Sequence, residues 1–366
     1  MFKSFHPSIN ELQTPLIIAG PCSAESEEQL LEVAMQIKAA GAHVMRAGAW
    51  KPRTRPNAFE GFGLEALTWM QNVSIKTGIP FVTEVATPNH VEMVLKAGIS
   101  MVWIGARTTV NPFLVQQIAD ALKGSDMPVF VKNPVNPDVS LWRGGIERFL
   151  NNGLTKVAAI HRGFSSYENS VYRNKPNWEL AIELRRQMPQ LPMIGDPSHI
   201  CGNTTLIKEV AQIALDLQYN WLMIEVHPHP EKALSDAQQQ LTPAAFCDLM
   251  KQLIVRKASA ENAFELSKLE DLRDFIDEID DAIIDKIAER MNVARKIGQY
   301  KNENNIAILQ PERFREILDT RTKKGISNML TKEFILRLYS LIHEESIFQQ
   351  TTQMDNSAKI KSEKTK

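Results

Sequence analysis

Residues 44–61, VMRAGAWKPRTRPNAFEG, join a short apolar strand to a loop in which cations are concentrated. The apolar side chains between Val44 and Trp50 are suited to a protein core. The cations of this stretch are Arg46, Lys51, Arg53 and Arg55. Because crowded like charges repel, we expect the loop to bind an anion such as a phosphate or a carboxylate. A solvated basic loop is the alternative for this stretch taken by itself.

The succession of strand, polar loop and helix recurs along the chain to about residue 256. Ser26 and Gln29 form a capping box, and Asn111 and Thr242 each precede a proline that can start a helix. Eight strands that alternate with helices predict a (β/α)8 TIM barrel, whereas an open doubly wound sheet would favour a Gly-x-Gly-x-x-Gly that is absent after the first strand. The predicted strands are residues 16–19, 43–46, 80–85, 101–105, 128–132, 157–161, 192–195 and 221–226.

Polar or charged residues stand at the carboxyl end of every predicted strand, which is the rim where barrel active sites are built. His161 and Asp196 are among them, as is Glu84. One set is cationic and suits two anionic groups: Arg46, Lys51, Arg107, Lys132 and Arg162. A second set combines a thiol, an imidazole and two carboxylates, which suit a borderline divalent metal: Cys22, His199, Glu225 and Asp236. Each residue alone has an ordinary structural explanation, so the hypothesis depends on their convergence.

The composition is that of an ordinary globular protein, with 366 residues, 43% hydrophobic and 23% charged. A net charge of −1 argues against a general nucleic-acid binder. We expect no membrane span, because no apolar run reaches about 18 residues, and no secretory signal at the N-terminus. The three cysteines, Cys22, Cys201 and Cys247, are odd in number and widely spaced, which favours free thiols in the cytoplasm.

The sequence changes character after residue 256 and predicts a second, all-helical domain. Residues 257–265 read as a polar linker that separates a barrel domain, 1–256, from a helical domain, 266–352. A near-heptad apolar pattern predicts one long helix to about residue 303, which needs partner helices to be stable. Two shorter helices are predicted at about 311–324 and 331–352. The lysine-rich residues 353–366 are predicted to be a disordered tail.

Arg290 interrupts the apolar pattern of the long helix. A buried guanidinium without a partner is costly, so we expect an anion to meet it, with an internal salt bridge as the alternative. Lys301 lies eleven residues later and points the same way, about 20° around the helix. Arg273 lies on a different face and would serve a site on a neighbouring chain more readily.

Eight segments of the first domain resemble those of the type I 3-deoxy-arabino-heptulosonate 7-phosphate (DAHP) synthases, in the branch most similar to 3-deoxy-manno-octulosonate 8-phosphate synthase. The segments are AGPCS at 19–23, R-x4-KPRT at 46–54, IGAR at 104–107, VKN at 131–133, HRG at 161–163, DPSH at 196–199, IEVHP at 224–228 and LSD at 234–236. The resemblance implies a metal-dependent (β/α)8 barrel that condenses phosphoenolpyruvate with erythrose 4-phosphate and releases phosphate, the first step of the shikimate pathway.

The resemblance also implies roles for the rim residues. Cys22, His199, Glu225 and Asp236 match the metal ligands, with Mn²⁺ expected first and Co²⁺, Fe²⁺ or Zn²⁺ as alternatives. The positions around phosphoenolpyruvate match Arg46, Lys51, Arg107, Lys132 and Arg162. Arg53 and Thr54 match the positions that hold erythrose 4-phosphate. Lys51 and Glu84 are the expected catalytic residues, with Glu84 and a metal-bound water as the two candidates for moving protons.

An octulosonate 8-phosphate synthase that uses arabinose 5-phosphate is the alternative for the barrel. Residues 51–54 favour the four-carbon sugar as the substrate. Their sequence, Lys51-Pro-Arg-Thr54, resembles that of the heptulosonate enzymes, whereas the octulosonate enzymes have Lys-Ala-Asn-Arg there.

The cations of the second domain resemble those of the all-helical chorismate mutases, which are intertwined dimers that convert chorismate to prephenate. The matching positions are Arg273, Arg290, Lys301, Arg313, Ser346 and Gln350, of which Arg290 and Lys301 are the expected catalytic pair. Gln310 stands where an Asp is frequent, and Phe314 where many members have a Glu near the substrate hydroxyl. The resemblance implies a homodimer through the helices. Alternatively, the domain only senses chorismate or prephenate and regulates the barrel, or only dimerises. We expect feedback here, because no ferredoxin-like domain precedes the first strand.

Overall fold

The computed structural model describes residues 15–52, 59–167, 170–256 and 263–364. The chain divides into two compact units, Met1–Ala258 and Ser259–Lys366. This division falls inside the predicted linker, and each unit is described by itself below. No helix in the described part is long and apolar enough to cross a membrane.

Eight parallel strands of the first unit close into a barrel in the order of the chain, β1 to β8, which confirms the predicted fold. Strand β1 closes the barrel on β8, in register from Leu16 opposite Trp221 to Gly20 opposite Glu225. The strands are β1 Leu16–Gly20, β2 Val44–Arg46, β3 Phe81–Val85, β4 Met101–Ile104, β5 Val129–Lys132, β6 Val157–His161, β7 Met193–Gly195 and β8 Trp221–Glu225.

Ten helices surround or follow these strands within the described part of the first unit. The side chains of Ser26, Asn111 and Thr242 cap the helices that the sequence predicted they would start. The helices are α1 Glu27–Ala39, α2 Leu64–Thr77, α3 Pro88–Lys96, α4 Ala106–Thr109, α5 Pro112–Ala121, α6 Val139–Asn151, α7 Trp178–Gln187, α8 Pro197–Cys201, α9 Ile207–Asp216 and α10 Pro243–Gln252.

Two apolar cores follow from the alternation of side chains along the strands. The inner core fills the barrel with residues such as Ile18, Phe130 and Trp221. The outer core packs the other face of the strands against the helices. Trp103 belongs to the inner core and contacts the charged residues of the rim. Burying each such side chain contributes roughly 1.5–3 kcal/mol, so the rim rests on a rigid base.

The described residues of the second unit contain three helices: α11 Ala263–Glu303, α12 Pro311–Ser327 and α13 Lys332–Lys364. Helix α13 packs against both α11 and α12. Its backbone is helical to Lys364, whereas the sequence predicted a disordered tail from residue 353. The segment contains neither proline nor glycine, so nothing in its backbone ends the helix.

Candidate active sites

Arg46 ends β2 and is only 1% exposed, inside the mouth of the barrel. Its Nη2 lies 3.0 Å from Glu225 Oε1, and the guanidinium lies 4.9 Å above the Trp103 ring. The Nε and Nη1 atoms are buried and have no hydrogen-bond partner among the described residues. Because unpaired buried donors are costly, these two N–H groups are available for an anion.

Lys132 ends β5 and is also buried, with its Nζ 3.0 Å from Asp196 Oδ2. Burial lowers the pKa of Lys132, whereas the charge of Asp196 raises it. Burial opposes the ionisation of Asp196, yet its contacts with His199 and Lys132 hold the pKa of this carboxyl well below its usual range. The pair therefore places a cation and an ionised carboxylate on the rim.

The three remaining cations of the predicted set lie in loops or helices beyond the strands. Lys51 Nζ lies 2.8 Å from Cys22 Sγ. Arg107 is exposed on α4 and its Nη1 donates to Pro52 O at 3.4 Å. Arg162 is half-buried, and burial lowers its pKa to about 10, with the neighbouring charge of Arg107 adding to this shift. The rim therefore brings all five cations together.

The four predicted metal ligands lie in two contacting pairs. Cys22 Sγ is 3.3 Å from Asp236 Oδ2, and His199 Nε2 is 3.7 Å from Glu225 Oε1. Glu225 Oε1 is buried and accepts no hydrogen bond from the described residues. No group of three or more His, Cys, Asp or Glu side chains in that part of the chain is arranged to hold a metal as it stands. The donor types fit a divalent metal, and the pairs would have to draw together around it.

His199 is oriented as metal-binding histidines are. Its Nδ1 lies 2.9 Å from Asp196 Oδ1, which leaves Nε2 facing Glu225. Burial lowers the pKa of His199, so the neutral imidazole that binds metals is favoured. Burial raises the pKa of Cys22 to about 12, so this thiol keeps its proton unless a cation displaces it.

Arg173 and Gln239 connect the two carboxylates of this set and were not predicted from the sequence. Arg173 Nη1 lies 3.0 Å from Asp236 Oδ1 and donates to Gln239 Oε1 at 2.8 Å. Gln239 Nε2 in turn donates to Glu225 Oε2 at 2.6 Å. Asp236 has a φ of 48°, an unfavourable conformation for a non-glycine residue, and the contact with Arg173 helps to hold it there.

Asn174 was missed as well and joins the cationic set to the metal-ligand set. Its Oδ1 accepts a hydrogen bond from Arg162 Nη1 at 2.7 Å, and its Nδ2 donates to His199 O at 2.6 Å. Arg173 and Asn174 lie between β6 and α7, away from any strand end. The other rim residues were predicted from their positions at the carboxyl ends of strands, so that criterion could not identify Arg173 or Asn174.

Glu84 and His161 show which strand-end residues reach the rim. Glu84 Oε2 accepts a hydrogen bond from Trp103 Nε1 at 3.0 Å, and a Cβ at Gly105 would lie 2.2 Å from Glu84 Oε1. His161 does not reach the rim, contrary to the prediction. It lies among aromatic residues of the outer core, with Nδ1 2.9 Å from Tyr219 Oη. Burial lowers the pKa of His161 to about 4, so it is neutral.

Arg53 and Thr54, predicted to hold the sugar phosphate, lie outside the described residues. The base of their loop is described. Lys51 N donates to Glu60 O at 2.8 Å, which ties the two ends of the loop together. Trp50 stacks on His90, with ring centroids 3.9 Å apart and planes 6° apart.

A cavity of about 540 Å³ lies beside Asp236 and Arg173. Its walls come from the loops after β6, β7 and β8. Such a volume is sufficient for a small phosphorylated substrate. The lining includes Tyr172, Arg173, Cys201, Asn203, Asp236 and Gln239.

The helical unit brings together three predicted residues from α11 and α13. The half-buried Arg290 donates from Nη1 to Ser346 Oγ. Gln350 lies one turn after Ser346, and its Oε1 is buried with no partner among the described residues. Gly298 allows this close approach of the helices, because a Cβ there would lie 2.9 Å from Gln350 Cα.

Lys301 is 8% exposed and donates to Ile308 O at 2.6 Å. Burial lowers the pKa of both Lys301 and Arg290. Lys301 and Gln310 also line a cavity of about 390 Å³. Arg273 and Arg313 are exposed, and Arg313 pairs with Glu316 in its own helix. The single chain thus assembles part of the predicted set and leaves these two arginines at the surface.

Comparison with known proteins matches each unit to a family. Residues 9–259 match the DAHP synthetase I family, and residues 272–351 match chorismate mutase type II. A phospho-2-dehydro-3-deoxyheptonate aldolase of Thermotoga maritima is 33% identical over 237 residues, which are 65% of this chain and 68% of the relative. A 2-dehydro-3-deoxyphosphooctonate aldolase of Desulfatibacillum aliphaticivorans is 28% identical over 67% of this chain and 93% of the relative.

Solved structures agree with the sequence comparisons. The crystal structure of the Thermotoga maritima DAHP synthase superposes with a TM-score of 0.60 at 30% identity, over 68% of this chain and 74% of that one. A truncated form of the 3-deoxy-D-arabino-heptulosonate 7-phosphate synthase from the same organism gives a TM-score of 0.58 at 28% identity, over 68% of this chain and 92% of that one.

Proposed function

Since the chain belongs to the DAHP synthetase I family, we propose that its barrel condenses phosphoenolpyruvate with D-erythrose 4-phosphate at the rim described above. The products are DAHP and phosphate. The helical unit is a chorismate mutase type II domain and converts chorismate to prephenate. The observation that carries the barrel reaction is the buried Arg46, whose two unpaired N–H donors stand beside Lys132 and the metal-ligand types.

The cations of the rim hold phosphoenolpyruvate through its carboxylate and its phosphate. Arg46 and Lys132 are buried and fixed, so they supply preorganised positive charge. Arg162 and Arg107 lie nearer the solvent and complete the phosphate contacts, while Lys51 reaches toward Cys22. This charge offsets the negative charge on the phosphate as it departs.

The family is metal-dependent, and we assign the metal to Cys22, His199, Glu225 and Asp236. Mn²⁺ is the expected ion, with Co²⁺, Fe²⁺ and Zn²⁺ as alternatives that this donor set also accepts. When bound, such a metal acts as a Lewis acid on the aldehyde of the sugar phosphate. Asp196 and Gln239 orient His199 and Glu225 for this purpose.

The barrel reaction needs a carbon–carbon bond, an added water and a departing phosphate. The enol carbon of phosphoenolpyruvate attacks the aldehyde carbon, water adds to the cationic carbon that remains, and phosphate leaves. Glu84 is the carboxylate assigned to moving a proton. Trp103 holds its Oε2, while Gly105 leaves room beside its Oε1.

The sugar phosphate binds to the loop that follows Lys51. Arg53 and Thr54 are assigned to its phosphate because they match the family pattern at these positions. The described base of the loop is tied by the hydrogen bond from Lys51 N to Glu60 O and by the stacking of Trp50 on His90. The test is the rate at which the purified protein consumes phosphoenolpyruvate with either sugar. We expect erythrose 4-phosphate to react much faster than arabinose 5-phosphate. Equal or reversed rates would favour the octulosonate synthase, a name that several relatives carry.

The mutase site uses Arg290, Lys301, Ser346 and Gln350 to bind chorismate, and Arg313 is assigned to the same ligand. Catalysis is electrostatic and conformational, because fixed cations favour the compact transition state. Arg273 is supplied by a second copy of the chain. The single chain leaves apolar side chains of α11 exposed, such as Leu272 at 56% and Ile276 at 55%, and a homodimer would cover them.

The helical unit also regulates the barrel by binding prephenate. Its cations suit any dicarboxylate of this size, so product and substrate compete for the same groups. Titrating prephenate into the DAHP synthase assay tests this feedback, and an unchanged rate at saturating prephenate would contradict it. Under the alternative of a helical unit that only dimerises, neither turnover nor feedback is expected.

The cysteines of the described part are free, which supports a reducing cytoplasm.

A further inference from the structure

We propose that His343 is a further substrate-binding residue of the helical site, and that its Nε2 hydrogen-bonds the ring hydroxyl of bound chorismate. The proposal rests on the mutase function proposed above and adds a residue to it. It is carried by a buried ring nitrogen that has no partner in the described part of the chain.

His343 lies on the face of α13 that forms the site. Ser346 follows it by three residues and Gln350 by seven, so the three side chains share one side of the helix. Ser346 Oγ accepts a hydrogen bond from Arg290, and the Gln350 backbone packs against Gly298. The face that carries His343 is therefore turned toward α11 and its cations.

Helix α12 holds the imidazole in a fixed orientation. The Phe314 ring stacks on it, with centroids 3.9 Å apart and planes 13° apart. The phenyl ring can neither donate nor accept an ordinary hydrogen bond, so α12 offers no partner at Phe314 for a polar group of the ligand. His343 Nε2 supplies that partner, and a ligand oxygen would satisfy an atom that is otherwise buried and unpaired.

The charges around His343 decide which ligand group it receives. Burial lowers the pKa of His343, and the charges of Arg290 and Lys301 lower it further, so the ring is neutral near pH 7. The two cations match the two carboxylates of chorismate, whereas a neutral imidazole matches a neutral oxygen. A hydroxyl can pair with either tautomer of the ring, whereas an ether oxygen can only accept, so the hydroxyl is the group assigned.

The test compares two variants on two substrates in the full chain. His343→Phe keeps a ring that can stack on Phe314 but removes Nε2, and His343→Gln keeps a polar group of similar reach. The substrates are chorismate and an analogue that lacks the ring hydroxyl. With chorismate, His343→Phe should lower kcat/KM roughly 10- to 100-fold, the loss expected for a buried hydrogen bond, and His343→Gln should recover much of it. With the analogue, His343→Phe and wild type should differ little.

An equal loss on both substrates, or no loss on either, would overturn the proposal. Glu344→Gln, a change at an exposed neighbour on α13, is the matched control and should leave both rates unchanged. DAHP synthase activity of each sample reports that the chain is intact. If His343→Phe does not fold, His343→Leu, which also lacks Nε2, takes its place in the comparison. A wild-type chain without mutase activity would overturn the proposed function as well, whereas an active wild type with an equally active His343→Phe would overturn this inference alone.

Discussion

Arg46 carries its charge inside the barrel with only part of its hydrogen-bonding capacity satisfied. Its side chain meets Glu225 on one side and the Trp103 ring on another. Removing a buried charge from water is expensive, and a protein that needed only stability would use an apolar side chain there. The unpaired Nε and Nη1 are therefore best explained by a ligand that completes the set.

Arg173 provides a test of how the proposed metal ligands are positioned. Arg173→Met removes the contacts with Asp236 and Gln239 but keeps a long side chain. We expect the dissociation constant for Mn²⁺ to rise roughly 10- to 100-fold, as for other residues that orient ligands. Titration of Mn²⁺ into chelator-treated protein measures it. Arg186→Met, which removes an exposed pair with Glu183, should leave the constant unchanged. Equal affinities in all three proteins would contradict the assignment.

His161 should make the folded barrel sensitive to acid. Burial lowers its pKa to about 4. Between about pH 6.5 and pH 4 the His161 imidazole is therefore protonated in the unfolded chain but neutral in the folded chain. The free energy of unfolding should therefore fall with pH across that window, by about 3 kcal/mol in all.

Chemical denaturation at several pH values compares wild type with His161→Gln, which lacks the titrating ring. The difference between the two should shrink as the pH falls from 6.5 to 4. Tyr219→Phe keeps the ring and should retain the wild-type slope. If the free energy of unfolding depends on pH in the same way for wild type and His161→Gln, then His161 does not contribute to the acid sensitivity.

Most of the rim could be predicted residue by residue, and the exceptions have physical reasons. Side chains alternate along a strand, so Arg46 follows the inward Val44 and faces the interior. The same alternation applied to β6 explains why His161 does not lie on the rim. Ala158 and Ile160 point into the barrel, so the next residue, His161, points outward. Arg173 and Gln239 could not be found this way, because their positions depend on loop conformation.

Helices α11 and α13 meet where Gly298 removes a side chain from the contact. A Cβ there would lie 2.9 Å from Gln350 Cα, so Gly298→Ala should push the helices apart and displace Gln350. We expect mutase kcat/KM to fall at least roughly tenfold while DAHP synthase activity is kept. Gly144→Ala in α6 is the control, because a Cβ there meets nothing within 4 Å and alanine favours helix. A Gly298→Ala protein with full mutase activity would contradict this account of the contact.

At the scale of elements, the sequence predicted what depends on local chemistry. Ser26, Asn111 and Thr242 cap helices because their side chains accept from backbone N–H groups one turn ahead. The disordered tail was predicted from the lysine-rich composition of residues 353–366, whereas α13 runs to Lys364 in a segment that has no helix-breaking residue. The short helix α8, which carries His199, was not predicted, since five residues are too few for a periodic pattern.

The whole molecule is proposed to be a homodimer through its helical unit. Ile276→Glu introduces a charge into the exposed apolar side of α11. The variant should sediment as a monomer and lose mutase activity, because Arg273 of a second copy would no longer reach the site. Ile75→Glu, at an exposed position of α2, is the control and should leave the mass unchanged. A wild-type protein that sediments as a monomer would contradict the dimer.

The central claim is that one chain performs two reactions at two separate sites, and reciprocal inactivation tests it most directly. Lys132→Met and Arg290→Ala are each assayed in the full chain for DAHP formation and for prephenate formation. We predict that Lys132→Met lowers DAHP formation at least roughly 100-fold and leaves prephenate formation nearly unchanged, and that Arg290→Ala does the reverse. A substitution that abolished both reactions, or spared the one assigned to its site, would contradict the account.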